Sequence, residues 1–105
     1  MRIALDYDDT FTADKTFWAS FVRLCDKHNH DVKFVTYRDS RFDNDDILND
    51  AADLGIEVVF TAGKQKAGVY DADVWIDDMP VTIPVAKELG DMFDGCLVND
   101  DMGGD

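Results

Sequence analysis

The segment Ile3-Ala4-Leu5-Asp6-Tyr7-Asp8-Asp9-Thr10 constrains this chain more than any other. A short apolar run, which buries readily, ends in a carboxylate, and two more carboxylates follow within three residues. Carboxylates packed this closely raise one another's pKa and oppose folding unless a cation or a proton relieves them. The pattern predicts a buried strand whose end holds a cation, and a hard divalent ion is the cation that prefers an all-oxygen donor set.

Beyond this segment, apolar runs alternate with helical periods. Strands are expected at Arg2–Leu5, 32–35 (ending at Thr36), 56–60, Val74–Ile76 (ending at Asp77-Asp78) and 94–98. Residues 13–28 read as an amphipathic helix with Phe17, Trp18, Phe21, Val22, Leu24 and Cys25 on one broad face, capped by Thr12 or Asp14. Residues 44–54 read as a second helix, with Ile47, Leu48, Ala51 and Leu54 inward and Gly55 as its stop. A short helix or turn is expected at 66–71 and a further helix at 82–89, stopped by Gly90. The polar, glycine-rich residues 99–105 are expected to fray. Strands alternating with helices imply right-handed βαβ crossovers and a parallel α/β sheet covered on both faces. Ligands of such sheets bind at the carboxyl ends of the strands, where strand order reverses. Asp6, Asp8, Asp9, Thr10, Thr36, Asp77 and Asp78 all fall at such ends.

The 105 residues are enough for one domain, 1–105, with a single modest core. Glu57 and Glu88 are the only glutamates among 23 acids, which leaves 21 aspartates, a residue favoured at caps, turns and strand ends. The net charge of −13 argues against extended nucleic-acid binding, which needs basic patches. It leaves room for a small phosphorylated ligand held by a metal and one or two basic groups. No apolar stretch approaches a membrane span and no signal-peptide pattern is present, so a soluble, cytoplasmic protein is expected. Cys25 and Cys96 make no disulfide framework and read as small buried hydrophobes.

Taken in order, four motifs over residues 1 to 80 make the chain resemble the haloacid dehalogenase-like phosphatase superfamily. An apolar strand is followed by Asp6-x-Asp8-x-Thr10, a second strand ends at Thr36, a lysine follows (Lys64 or Lys66), and a strand ends in Asp77-Asp78 with Pro80 close behind. The resemblance implies a Rossmann-like three-layer sandwich with a five-stranded parallel sheet of order 3-2-1-4-5. It also implies a Mg²⁺-dependent phosphomonoester hydrolase. Asp6 would be the nucleophile, forming an aspartyl-phosphate, and Asp8 the proton carrier. Mg²⁺ would be held by Asp6, the backbone carbonyl of Asp8, and Asp77, with Asp78 as a further or water-mediated ligand. Thr36 would hydrogen-bond a phosphoryl oxygen and a lysine would balance charge on the phosphate and on Asp6, Lys66 being preferred over Lys64 because it sits near a helix start. Thr10 and Arg38 are candidate substrate-binding residues, and Arg38 is equally a candidate for an ion pair with Asp39 or another acid.

Two departures from the family pattern stand out. Asp9 occupies a position where many members carry glycine, and Asp tolerates the left-handed backbone region better than most residues. The intervals between motifs hold only one helix, then one helix and one strand, so no cap domain fits. An open site of this kind suits a phosphorylated small molecule, a nucleotide or a phosphoprotein. Two alternatives use the same residues: a catalytically idle domain that binds metal or protein, and a phosphoacceptor receiver-like domain. The second conflicts with the order of the motifs, because receivers carry their paired acids after the first strand.

Overall fold

The computed structural model describes residues 1–83 and 85. Its strands are β1 (Arg2–Leu5), β2 (Asp31–Thr36), β3 (Val58–Phe60) and β4 (Val74–Ile76), all parallel, in the order β3-β2-β1-β4. Ile3 pairs with Val32 and Val74, and Leu5 with Phe34 and Ile76, so period-two alternation gathers these side chains on one face. Two helices, α1 (Lys15–Lys27) and α2 (Asp45–Leu54), touch each other and cover that face, bringing Val22 and Cys25, and Ile47 and Ala51, against it. Tyr7 and Phe11 carry the core past the end of β1, their rings stacked at 5.6 Å and each edge-on to Phe34.

Local chemistry sets the helix ends. The Asp14 carboxylate accepts the Phe17 N–H at 3.1 Å and starts α1, two residues later than the periodicity suggests, because Phe11–Ala13 form a 3₁₀ turn. Gly55, at φ +69°, closes α2 in the left-handed conformation that glycine adopts without strain. Of the broad apolar face expected on α1, Phe17 and Leu24 are more than half exposed. They lie roughly 110–130° round the helix from the arc that Val22 and Cys25 centre, outside the stripe a flat sheet covers. Leu48, expected inward on α2, is likewise half exposed at the edge of its stripe.

Among the described residues the sheet has four strands. The expected fifth strand at 94–98, most of the helix at 82–89, Cys96 and the tail at 99–105 lie outside them. Within the described part, Pro80–Thr82 is a 3₁₀ turn and Lys66–Gly68 another, shorter than the expected 66–71. No helix among the described residues is long and apolar enough to cross a membrane.

Candidate active site

Strand order reverses at β1. From it the chain builds outward through β2 and β3, then returns to β4 on the other side. The carboxyl ends of β1 and β4 therefore flank the crevice where parallel sheets bind ligands. Asp6 follows Leu5, and its N–H donates to the Ile76 carbonyl at 2.9 Å, continuing the ladder by one residue. Asp77 and Asp78 follow Ile76 directly, so the same ladder brings acids 71 and 72 positions apart to one edge. Carboxylate oxygens of Asp6, Asp77 and Asp78 lie within 4.8 Å of one another.

Lys66 reaches this cluster from the 3₁₀ turn after β3. Its side chain is 3 % exposed, and Nζ donates to Asp6 Oδ1 at 2.9 Å and to Asp77 Oδ2 at 2.5 Å. Thr10 braces the cluster from the other side. Its hydroxyl donates to Asp6 Oδ2 at 3.0 Å, lies 3.3 Å from Asp78 Oδ1, and accepts the Asp78 N–H at 3.2 Å. Asp77 Oδ1 accepts the Met79 N–H at 2.9 Å. Above these groups opens a cleft of about 120 Å³, lined by Asp6, Asp8, Asp9, Asp77, Asp78 and Lys66, with Thr36, Tyr37, Met79 and Thr82 completing its wall.

Three carboxylates share one ammonium, and the electrostatics record the imbalance. Burial raises the Asp6 pKa to about 6; the Lys66 hydrogen bond opposes that rise, while the acids Asp78 and Asp77 add to it. Burial works to lower the Lys66 pKa, but its bonds to Asp6 and Asp77 outweigh that and leave it above its ordinary value. The two shifts agree physically: the ammonium gains two carboxylate partners, whereas Asp6 gains one cation, loses water and faces two like charges. An all-carboxylate donor set short of positive charge fits a hard divalent ion such as Mg²⁺.

Compared with protein-family models, curated proteins and solved structures, the chain matches none.

The structure brings Asp6, Asp77, Asp78, Thr10 and Lys66 into direct contact, and sets Thr36 in the cleft wall at the end of β2. Lys64 is exposed on the preceding loop, so Lys66, and not Lys64, enters the cluster. Thr10 is buried and occupied in bracing Asp6 and Asp78, and it does not line the cleft. Thr36 Oγ1 accepts the Arg38 N–H at 3.2 Å. Arg38, expected as a phosphate clamp or as the ion-pair partner of Asp39 or another acid, is paired with two other acids. Its guanidinium makes paired hydrogen bonds to Asp8 (2.7 and 3.0 Å) and to Asp46 (2.6 and 2.9 Å), and lies 5.2 Å from the Tyr7 ring centroid. Asp39 pairs with Arg41 instead. The bond from Arg38 holds the Asp46 carboxyl down at about 2. Asp9 adopts φ +64° and gives its N–H to Thr12 Oγ1, so the backbone turn at this position survives without glycine.

Three features escaped sequence reasoning. Tyr7, inside the Asp-x-Asp motif, is fully buried and donates its hydroxyl to Asp50 at 2.5 Å, with Lys15 on the same carboxylate. Burial pushes the Asp50 pKa up, but the bonds from Tyr7 and Lys15 outweigh it and hold it below its ordinary value. Tyr37 and Met79, each one or two residues past a motif, stand at the cleft mouth. Their signal in the sequence is only their position immediately beyond a strand end.

Proposed function

We propose that this chain is a Mg²⁺-dependent phosphomonoester hydrolase acting through an aspartyl-phosphate at Asp6. The observation that carries the reading is the convergence of Asp6, Thr10, Lys66, Asp77 and Asp78, from three separate segments, at the strand-order reversal. Asp6, Asp77 and Asp78, together with the backbone carbonyl of Asp8, would hold the ion, which when bound supplies positive charge to the phosphoryl oxygens and to Asp6. Asp6 attacks phosphorus and the ester oxygen departs. Lys66, fixed at Asp6, offsets negative charge on the reacting groups, and Thr36, in the cleft wall, would hydrogen-bond a phosphoryl oxygen. Asp8 gives a proton to the leaving oxygen and later takes one from the hydrolytic water. For this, Asp8 must leave its paired bond with Arg38, which is half exposed on the Asp8 side.

With this reading go the finer points of the fold and setting: a fifth strand at 94–98 beside β4, order 3-2-1-4-5, a three-layer sandwich without a cap, and a cytoplasmic location. Candidate substrates are a phosphorylated small molecule, a nucleotide or a phosphoprotein. One observation favours a catalytically idle, metal- or protein-binding domain instead. Asp8 is locked to an arginine that Asp46 also holds. A receiver-like domain is the weaker alternative, and a long-lived phosphoryl group with slow turnover would support it. The deciding experiment is phosphate release from a panel of phosphomonoesters with Mg²⁺ and with EDTA, for the wild type and Asp6→Asn. Mg²⁺-dependent release that the variant lacks supports hydrolysis. Metal binding without release from any ester supports the idle domain.

A further inference from the structure

The cleft mouth carries an apolar pair that phosphoryl transfer does not use. Tyr37 follows β2 and Met79 follows β4, so they stand on either side of β1, 40 % and 56 % exposed while lining the cleft. Large apolar side chains left in water beside a polar site are the groups available to a ligand's apolar part. The backbone at both positions is held in place. The loop after β3 donates to three successive carbonyls around Tyr37: Thr61 N–H to Thr36 (2.9 Å), Gly63 N–H to Tyr37 (2.9 Å) and Ala62 N–H to Arg38 (3.1 Å). Lys66 Nζ lies 5.8 Å from the Tyr37 ring centroid. Met79 is held by its N–H to Asp77 and by the Thr82 hydroxyl, which donates to its carbonyl at 2.8 Å.

Charge narrows the ligand further. Five carboxylates and one ammonium line the cleft, and Arg38 is neutralised by Asp8 and Asp46. With a divalent ion bound and Asp8 paired with Arg38, the wall still carries one negative charge before a phosphate arrives. A second anionic group on the substrate would meet no free cation among the described lining residues and would be repelled at close range.

Resting on the hydrolase reading above, we propose that the site selects monophosphate esters whose leaving group is uncharged and bears a flat apolar portion, which packs on Tyr37 and Met79. An aromatic face to stack on at Tyr37, and a polarisable thioether at Met79 across the cleft, favour a ring over a flexible chain.

Three esters with leaving alcohols of similar acidity test this: 2-phenylethyl phosphate, propyl phosphate and the phosphate of 4-hydroxybutanoate, each assayed for kcat/KM with Mg²⁺. The phenylethyl ester should exceed the propyl ester by about tenfold, and the anionic ester should fall below both. Tyr37→Ala and Met79→Ala should each draw the phenylethyl-to-propyl ratio toward one, while Tyr37→Phe keeps it. Equal values for the two neutral esters, a preference for the anionic one, or a ratio unmoved in both alanine variants overturns the specificity while leaving the hydrolase standing. No turnover of any of the three, while other phosphomonoesters of the panel are hydrolysed, overturns the specificity alone; no turnover of any ester in either set overturns both.

Discussion

Replacing Asp6 with Asn should make the metal-free protein more stable at neutral pH while removing the nucleophile. Burial moves the Asp6 pKa from 3.8 to about 6 on folding. At about 1.36 kcal/mol per unit, the ionised folded form is disfavoured by roughly 3 kcal/mol. The folded pKa lies above the unfolded one, so the stability Asp6 contributes is complete below pH 3.8 and is lost as pH rises through 6. Asparagine carries no charge at any pH and avoids that loss. Its amide can still accept from Lys66, and the Thr10 hydroxyl can turn toward Asp78 Oδ1, 3.3 Å away. The wild type tolerates the cost because Ile3, Leu5, Phe34 and Ile47 are buried beneath the site, each contributing roughly 1.5–3 kcal/mol. Urea unfolding in EDTA, followed by tryptophan fluorescence, reads the difference. Asp6→Asn should exceed the wild type by about 3 kcal/mol at pH 7.5, with the gap closing between pH 6 and pH 4. A variant less stable than the wild type at pH 7.5, or a gap that does not change with pH, refutes the reasoning that an under-compensated buried charge sits at Asp6.

Lys66→Met strips the ammonium from between two buried carboxylates and should cost about 3–5 kcal/mol at pH 7.5, whereas exposed Lys64→Met should stay within about 0.5 kcal/mol; paired denaturation curves check both. Tyr7→Phe removes a buried hydrogen bond to the Asp50 carboxylate, which keeps Lys15, and should cost about 1–2 kcal/mol by the same assay. Arg38→Met breaks pairs whose carboxylates are half exposed, so it should cost no more than about 1 kcal/mol. In that variant the Asp46 carboxyl, held at about 2, should return toward 3.8 in a carbon-detected NMR titration.

What could be read from the sequence was what depends on strand ends. A polar residue placed directly after an apolar strand must appear at the carboxyl edge of a parallel sheet, so Asp6, Thr36, Asp77 and Asp78 were legible once β1, β2 and β4 were. The Gly55 stop was legible for a similarly local reason, since glycine takes the left-handed conformation at a helix end without strain. Arg38 was not. Among 21 aspartates, sequence offers no means of choosing Asp8 and Asp46 over the adjacent Asp39, because the choice depends on where α2 begins relative to the turn after β1. Nor was the outward placement of Phe17 and Leu24 legible, because hydrophobicity alone does not say how wide an arc of α1 the sheet will cover. A place near a helix start favours Lys66 over Lys64 in the sequence, and the 3₁₀ turn at Lys66–Gly68 is what aims it inward.

The most direct measurement is a search for the phosphoryl group on the chain itself. The protein is mixed with a phosphomonoester and Mg²⁺, quenched in acid within the first turnovers, digested, and its peptides are examined by mass spectrometry. A single phosphoryl group on Asp6, absent from Asp6→Asn and absent without Mg²⁺, is the expected result. Turnover at the wild-type rate in Asp6→Asn, or a phosphoryl group on another residue with Asp6 unmodified, contradicts a nucleophile at the end of β1.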